Sequence, residues 1–290
     1  MSSLQHSQRL LANRSYAKAS RPSRLAIVAG SLEPGAKVLV AGATGGVGQL
    51  VTAKLLDRGY KVRAISRSQE KVQQVFGANP PAGLEVVFGD ARESSNLESF
   101  VDGVDAVCCC TGTTAFPSNR WKGNNGPKQT DYEGVKNLVT ACLGQAYGPK
   151  AHIKRFLLVS SAGVERSGKF PYVILNLFGV LKWKGEGEKV LLASGLPYTI
   201  LRPGRLTDGP YTSYDLNTLL QATSGTRRDV QMSPREDLDG ETSRLTVAEA
   251  LVQALALPET EDRVYSLTST EGDGPGSDTA KWRALFSKCN

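Results

Sequence analysis

The sequence predicts an α/β fold: a doubly wound parallel sheet with helices on both faces and a small C-terminal substrate lobe. Two observations support this fold class. Short apolar runs alternate with segments of helical period between residues 37 and 201, which is typical of a parallel sheet covered by helices. A glycine-rich turn directly follows the first run and opens the first helix. Because crossovers between parallel strands are right-handed, these features indicate a Rossmann sheet.

Each apolar run has the length of a strand, and a helical segment separates it from the next. The predicted strands cover 37–41, 61–66, 84–88, 105–110, 155–160 and 198–201. The predicted helices cover 46–58, 68–76, 93–101, 130–146 and 172–194. Loops at 112–129 and 203–240 interrupt the alternation, and loops of that length are usually functional or mobile. We expect one domain over 33–290, in which 203–240 and the C-terminus build the lobe that meets a substrate or partner.

Most of the positive charge lies at the N-terminus. The 290 residues carry 35 Lys and Arg against 28 Asp and Glu, a net charge of +7. Residues 1–32 hold five of the basic residues and no acidic one, which leaves 30 basic against 28 acidic residues in the rest. A segment rich in Ser, Arg and Ala without apolar period is typical of an organelle transit peptide. We therefore expect 1–32 to be a disordered transit peptide.

The start of the chain also bears on location. Ile27-Val28-Ala29 before Gly30 resembles a plastid processing site, so we expect a chloroplast protein of the stroma or the thylakoid surface. Arg14-Ser15-Tyr16 before Ala17 resembles a mitochondrial site, which is the alternative. No apolar run is long enough to span a bilayer, which excludes an integral membrane protein. The small charge excess after residue 32 gives no reason to expect direct nucleic-acid binding.

The glycine-rich turn has the spacing of a dinucleotide-binding site. Gly42, Gly45 and Gly48 give GxxGxxG, a fingerprint whose first spacing is one residue wider than usual. Gly42 permits the tight turn, Gly45 lets the backbone approach a pyrophosphate, and Gly48 lets the helix pack closely on the strand. The helix N-terminus favours the phosphate charge. We expect the cofactor to meet the whole turn: Gly42, Thr44, Gly45, Gly46, Val47 and Gly48.

The end of the second predicted strand indicates which dinucleotide binds. An NAD site places Asp or Glu there, about 20 residues beyond the glycines, to hold the ribose 2′-hydroxyl. This chain has Ser66-Arg67-Ser68 instead, with Lys71 one helical turn later. Arg67 can pair with a 2′-phosphate through two parallel hydrogen bonds. The sequence therefore predicts NADP (NADPH) rather than NAD.

Several motifs together resemble a known family. They are the glycine turn, Gly89-Asp90, Ser160-Ser161 and Leu201-Arg202-Pro203-Gly204. On these motifs the chain is similar to the atypical short-chain dehydrogenase/reductases, and more narrowly to the NmrA-like NAD(P)-binding Rossmann proteins of plant and algal chloroplasts. The resemblance covers residues 37–290. It implies that the adenine lies near Asp90 and Ala91. The central phosphates and ribose would lie near Thr111 and Gly112, and the nicotinamide near Pro203 and Gly204.

The family also implies a catalytic set of Ser, Tyr and Lys, in which Tyr stands four residues before Lys on one helix. The ammonium lowers the pKa of the phenol, which then donates a proton to the substrate carbonyl. Lys184 matches the family lysine, and Ser161 lies near the position of the family serine. Val180 stands in place of the tyrosine. Tyr172 is no substitute, because one continuous helix would put it about 18 Å from Lys184.

Lys184 is therefore expected to hold the nicotinamide ribose or to act as the general acid itself. Other acids that could replace the tyrosine lie in or after the last predicted strand: Tyr198, Asp208, Tyr211 and Tyr214. The five cysteines show no metal-site spacing, so no metal is expected and burial as small apolar side chains is favoured. They are Cys108, Cys109, Cys110, Cys142 and Cys289.

Two functions remain open after the sequence is read. The first is an NADPH-dependent reductase of a plastid small molecule such as a quinone or an enone. The second is a non-catalytic NADPH-binding scaffold or redox sensor that assists assembly or regulation of a photosynthetic complex, which Val180 favours. A sugar-nucleotide epimerase ranks below both, because it also requires the missing tyrosine. The expected partners are the dinucleotide and either an unknown small substrate or a plastid protein.

Overall fold

Eight strands form one sheet at the centre of the molecule. The computed structural model describes residues 30–146, 153–208 and 225–290. The described residues contain ten strands, and all of them except β7 and β9 belong to this sheet. The strands are β1 (Lys37–Ala41), β2 (Lys61–Ser66), β3 (Leu84–Phe88), β4 (Ala106–Cys109), β5 (Arg155–Val159), β6 (Tyr198–Pro203), β7 (Arg205–Thr207), β8 (Asp229–Ser233), β9 (Glu241–Ser243) and β10 (Arg263–Thr270). The α-helices are α1 (Gly48–Asp57), α2 (Gln69–Phe76), α3 (Leu97–Val101), α4 (Gly134–Ala146), α5 (Tyr172–Leu175), α6 (Val180–Ser194), α7 (Arg244–Ala256) and α8 (Thr279–Ser287).

The strand order of the main sheet is β3-β2-β1-β4-β5-β6-β10-β8. Neighbouring strands are parallel except β8, which runs antiparallel to β10. The order reverses between β1 and β4, so a crevice opens there at the carboxyl ends of the strands. This arrangement confirms the doubly wound Rossmann sheet.

The core lies in two layers, one on each face of the sheet. Side chains of a strand point to alternate faces. In β1, Val38 and Val40 pack into the layer formed with α1, α7 and α8, whereas Leu39 and Ala41 pack into the layer formed with α4 and α6. Strands buried on both faces carry continuous apolar runs, which is the pattern that made them recognisable in the sequence.

Three predicted helices differ from the structure. The helix predicted over 93–101 is shorter and begins at Leu97, as α3. The helix predicted over 130–146 begins as a π-helix at Lys128–Glu133 and continues as α4. The helix predicted over 172–194 is two helices, because the chain leaves helical geometry between α5 and α6. Gly179, with φ of 78°, turns the chain into α6 through a left-handed conformation that costs glycine little. The break places Val180 at the first residue of α6.

The N-terminal segment predicted as a transit peptide, 1–32, overlaps the described residues only at 30–32. Residues 1–29 lie outside the described residues, and the transit peptide stays a prediction. Leu32, inside the predicted segment, is buried: its N–H bonds the Leu255 carbonyl at 3.1 Å, and its own carbonyl accepts from the Tyr60 hydroxyl at 2.6 Å. Among the helices within 30–146, 153–208 and 225–290, none combines the length and the apolar composition that a membrane span requires.

The predicted lobe is divided between two sheets. β7 and β9 form a separate two-stranded parallel sheet, whereas β8 and β10 extend the main sheet. Trp282 and Phe286 of α8 belong to the main core. Residues 209–224, with the candidate acids Tyr211 and Tyr214, lie outside the described residues. A substrate-binding role for the lobe stays a prediction.

Candidate functional site

The glycine turn lies at the crevice between β1 and β4. Gly42 has φ of 78°, and a Cβ there would lie 3.0 Å from the Cys110 carbonyl and the Thr111 nitrogen. A Cβ on Gly48 would lie 2.0 Å from the Gly42 oxygen, a distance that no side chain can occupy. Both positions therefore require glycine, the first for the turn and the second for the approach of α1. The N-terminus of α1 faces the crevice without an acidic residue in its first turn.

A cleft of about 650 Å³ runs from this turn along the carboxyl ends of β1, β2, β3 and β4. It brings together most of the predicted cofactor residues. Those that line it are Gly42, Thr44, Gly45, Gly46, Arg67, Asp90, Ala91, Thr111 and Gly112. Val47 precedes α1 and is buried, and Gly48 packs against the turn from behind, so these two support the cleft without lining it.

The end of the cleft beside β2 and β3 is rich in cations. Arg67 is 46% exposed; its guanidinium donates to the Asn125 side chain at 3.2 Å and lies 3.7 Å from the Asp90 carboxylate. Ser68 begins α2 by accepting a hydrogen bond from the Lys71 amide at 3.2 Å. Further basic residues line the same cleft: Lys71, Arg92, Arg120 and Lys122. Such a set suits a ligand with several negative charges.

Arg92 is a member of this set that the sequence analysis did not identify. Its guanidinium holds the Asp90 carboxylate, with Nε at 2.9 and 3.0 Å from the two oxygens. Burial raises the pKa of Asp90, but the hydrogen bonds from Arg92 outweigh burial and hold that pKa below its usual value. Arg92 also donates to the carbonyls of Gly123 and Asn124, at 3.0 and 2.5 Å. It thereby ties the loop after β4 across the cleft.

At the other end of the turn, Lys184 forms an ion pair with Asp131. The Lys184 Nζ lies 2.7 Å from Asp131 Oδ1, and the Asp131 side chain is fully buried. The Thr113 hydroxyl donates to the second carboxylate oxygen. A Cβ on Gly112 would lie 3.2 Å from the ammonium, so a side chain at this position would crowd the Lys184 Nζ. The sequence analysis missed Asp131, which comes from the π-helix, a form often found at functional sites.

A second, smaller cavity adjoins this ion pair and is lined by Thr111, Asp131, Ser160 and Lys184 among others. The Ser160 hydroxyl is buried and has no hydrogen-bond partner among the described residues. An unpaired buried hydroxyl is costly, which favours a ligand group there. Ser161, the serine predicted from the family, instead donates to the Ala162 carbonyl at 2.9 Å. The catalytic role of Ser161 stays a prediction.

The helix that carries Lys184 is fixed from below by a buried ion pair. Glu188, one turn after Lys184, accepts two hydrogen bonds from Arg202, at 3.0 and 2.6 Å. Arg202 belongs to β6 and is nearly buried. Burial lowers the pKa of Arg202, but its bonds to Glu188 and Glu165 outweigh this effect and raise it. The pair holds α6 against the sheet.

Tyr198 and Asp208, the two candidate substitutes for the missing tyrosine that the structure describes, make their contacts away from Lys184. Val180 is buried in a small apolar cluster with Tyr172 and Leu181. The Tyr172 hydroxyl donates to Asp239 at 2.5 Å. Asp208 accepts from the Ser243 hydroxyl and the Arg244 amide and so begins α7. Tyr198 begins β6, at the end of the strand away from the crevice.

The residues predicted near the nicotinamide lie at the end of β6. Pro203 ends this strand, and a Cβ on Gly204 would lie 2.3 Å from the Gly240 oxygen. The Gly204 amide donates to the Leu267 carbonyl and the Thr242 hydroxyl. These contacts join β6 to β9 and β10. A contact of Pro203 and Gly204 with the cofactor stays a prediction.

The glycine cradle at the sheet reversal and the cations at one end of the cleft define a dinucleotide-binding Rossmann protein. Comparison with known proteins identifies the family. The chain belongs to the NAD(P)H-binding family, whose model matches residues 42–258. This confirms the resemblance to the atypical short-chain dehydrogenase/reductases.

Two curated relatives show the range of this family. The chain is 35% identical to the chloroplastic protein TIC 62 of Arabidopsis thaliana in an alignment of 231 residues that covers 74% of this chain and 32% of that protein. It thus spans about a third of TIC 62. It is 30% identical to the sanguinarine reductase of Eschscholzia californica over 285 residues, covering 87% of this chain and 95% of that enzyme.

A solved structure supports the fold. A putative NAD-dependent epimerase/dehydratase from Bacillus halodurans superposes with a TM-score of 0.66 at 21% identity and covers 87% of this chain and all of that one. At this identity the likeness concerns the fold. The chain therefore shares its fold with that protein.

Proposed function

We propose that this protein is an NADPH-dependent reductase of a plastid small molecule. The cleft carries the proposal: Gly42, Gly45 and Gly46 line it without side chains, as a pyrophosphate site requires, and cations rather than a lone carboxylate follow β2. Sanguinarine reductase, similar over nearly its whole length, supports reductase chemistry, and chloroplastic TIC 62 supports the plastid.

Arg67 is the residue that we expect to select NADPH over NADH. It is half exposed at the mouth of the cleft, and its partners, Asn125 and Asp90, leave its guanidinium near the cleft surface. A 2′-phosphate can replace the Asn125 oxygen as acceptor and gain two charge-assisted hydrogen bonds. Lys71 and Lys122, which line the same cleft, add positive charge.

Lys184 is the proposed proton donor. NADPH, when bound, supplies a hydride to the acceptor. The acceptor carbon would take this hydride, and the acceptor oxygen would take a proton from Lys184, so the acceptor would gain two electrons and two protons in total. Asp131 orients the ammonium, and we expect the unpaired Ser160 hydroxyl to donate to the same oxygen.

The test uses the full chain. We would titrate it with NADPH and NADH, follow nicotinamide fluorescence, and then add quinone and enone acceptors. We expect NADPH to bind more tightly than NADH and to be oxidised when an acceptor is present. Lys184→Met should then lower kcat by roughly 100-fold, the scale of a positioned general acid. No binding of either dinucleotide would contradict the proposal at its first step.

A second candidate is a non-catalytic NADPH-binding scaffold or redox sensor that assists a photosynthetic complex. Val180 favours it, because an apolar, buried side chain in the position of the family tyrosine offers no proton. Tight NADPH binding without oxidation by any acceptor would favour this candidate, and Lys184→Met would then behave like the wild type in the oxidation assay.

A further inference from the structure

An exposed apolar surface lies between β5 and α6. Nine large apolar side chains are exposed in the described residues, and six of them fall within residues 170–178. Phe170 is 80% and Leu177 is 68% exposed. We call the six the apolar face: Phe170, Val173, Ile174, Leu175, Leu177 and Phe178. Exposed apolar patches of this kind mark interaction sites.

The apolar face has a firm support. Tyr172, at the start of α5, points inward and donates to Asp239, while Arg166 donates to its hydroxyl at 3.0 Å. On the other side, the Phe178 ring makes edge contacts with Phe116 and Trp121, at centroid distances of 6.1 and 6.0 Å. The chain is thus anchored at both ends of the face. Because Tyr172 and Phe178 make the contacts with the rest of the molecule, the side chains between them are left exposed.

The segment that carries the apolar face has charges of one sign. From Ser167 to Gly185 the chain has three lysines and no acidic residue. Lys184 is in the ion pair described above, which leaves Lys169 and Lys182 exposed beside the face. Trp183 lies under Lys182 and Lys128, whose ammonium groups are 5.0 and 5.7 Å from its ring. Lysines, an interfacial tryptophan and an apolar surface are the composition of elements that lie on a membrane.

We propose that the apolar face docks on an anionic lipid surface. Its side chains enter the acyl boundary, and Lys169, Lys182 and Lys128 meet the negative headgroups. Charge selects this occupant over a second copy of the chain, because a two-fold contact of the face with itself would bring like charges together. The proposal is independent of turnover, since neither Ile174 nor Leu177 lines the cleft.

The test is sedimentation of the full chain with vesicles. Phosphatidylcholine vesicles, which are uncharged, are compared with vesicles that also contain phosphatidylglycerol, which is anionic. We expect binding to the anionic vesicles that weakens as salt is added. The double variant Ile174→Ser/Leu177→Ser should lower the partition coefficient at least about tenfold, because it removes two large apolar side chains from the acyl boundary.

A matched control separates the face from general surface hydrophobicity. Phe88 and Leu192 are 54% and 43% exposed elsewhere on the molecule. Phe88→Ser/Leu192→Ser should leave vesicle binding unchanged. Lys169→Gln/Lys182→Gln should reduce binding to the anionic vesicles. NADPH affinity should be the same in Ile174→Ser/Leu177→Ser and Lys169→Gln/Lys182→Gln as in the wild type, so a failure here is distinguishable from a failure of the proposed function.

Several results would overturn the proposal. One is no vesicle binding by the wild-type chain, or equal binding to charged and uncharged vesicles. Another is a dimer in light scattering that Ile174→Ser/Leu177→Ser dissociates, which would make a second copy the occupant. A third is a lower melting temperature for this variant than for Phe88→Ser/Leu192→Ser, which would mean that another part of the chain covers the face.

Discussion

Lys184 and Asp131 form a salt bridge of 2.7 Å between α6 and the π-helix, and both line the small cavity that shares Thr111 with the dinucleotide cleft. The carboxylate is fully buried, and Thr113 occupies its second oxygen. α6 also approaches the π-helix closely, since a Cβ on Gly187 would lie 2.4 Å from the Asp131 carbonyl oxygen. The pair therefore couples the stability of two packed helices to the position of the one ammonium that we propose as the acid.

The first prediction concerns Asp131. Asp131→Asn leaves the Lys184 ammonium without its counter-charge, and breaking a buried ion pair costs about 3 kcal/mol of unfolding free energy. We expect that loss in urea denaturation, together with a lower kcat. The double variant Asp131→Asn/Lys184→Met removes the charge that was left unpaired. It should be more stable than Asp131→Asn, and a less stable double variant would contradict a direct pairing.

The second prediction concerns cofactor choice. Arg67→Ala should weaken NADPH binding by roughly 10- to 100-fold, the value of one or two hydrogen bonds to a charged group, and should change NADH binding little. Arg283→Ala is the control: its side chain is 58% exposed on α8 and pairs with Glu259. The measurement is the Kd for both dinucleotides. Equal losses for NADPH and NADH in Arg67→Ala would exclude a 2′-phosphate at this position.

The third prediction separates the two reasons for a glycine at position 42. Gly103 has φ of 66°, and a Cβ there would meet no atom within 4 Å, whereas Gly42 has φ of 78° and contacts the backbone after β4. Gly103→Ala should therefore cost only the left-handed conformation, about 1 kcal/mol. Gly42→Ala should cost more and should also abolish NADPH binding. Similar melting temperatures for the two variants would show that the Cys110 contact is not tight.

The parts of the fold that local sequence determines could be predicted. β1, β2 and β3 have the predicted bounds, because each is a short apolar run with a turn on either side. The cradle at Gly42 and Gly48 follows from spacing alone. α7 gives no comparable signal: apart from its first residues it is buried on nearly all sides, so it has no polar stripe from which a helical period can be recognised.

The side-chain partners could not be predicted, because they join distant segments. Asp131 and Lys184 lie on separate helices, and no spacing links them. The role of Arg92 could not be predicted for the same reason, because Arg92 follows β3 whereas Gly123, to which it donates, lies in the loop after β4. The substitution of the tyrosine by Val180 was visible in the sequence, but the surroundings of Val180 depend on the break before α6.

The fourth prediction concerns the pH dependence of stability. Burial and the hydrogen bond to Asp239 raise the pKa of Tyr172 from its ordinary value of 10.0 to about 12. The folded state therefore retains this proton over a range in which the unfolded state has lost it, so unfolding free energy decreases as pH rises from 10 to 12. Tyr172→Phe has no proton to lose and should show a smaller decrease over that range. Tyr16→Phe, a substitution outside the described residues, serves as the control, and parallel pH profiles for Tyr172→Phe and the wild type would contradict the burial of this hydroxyl against Asp239.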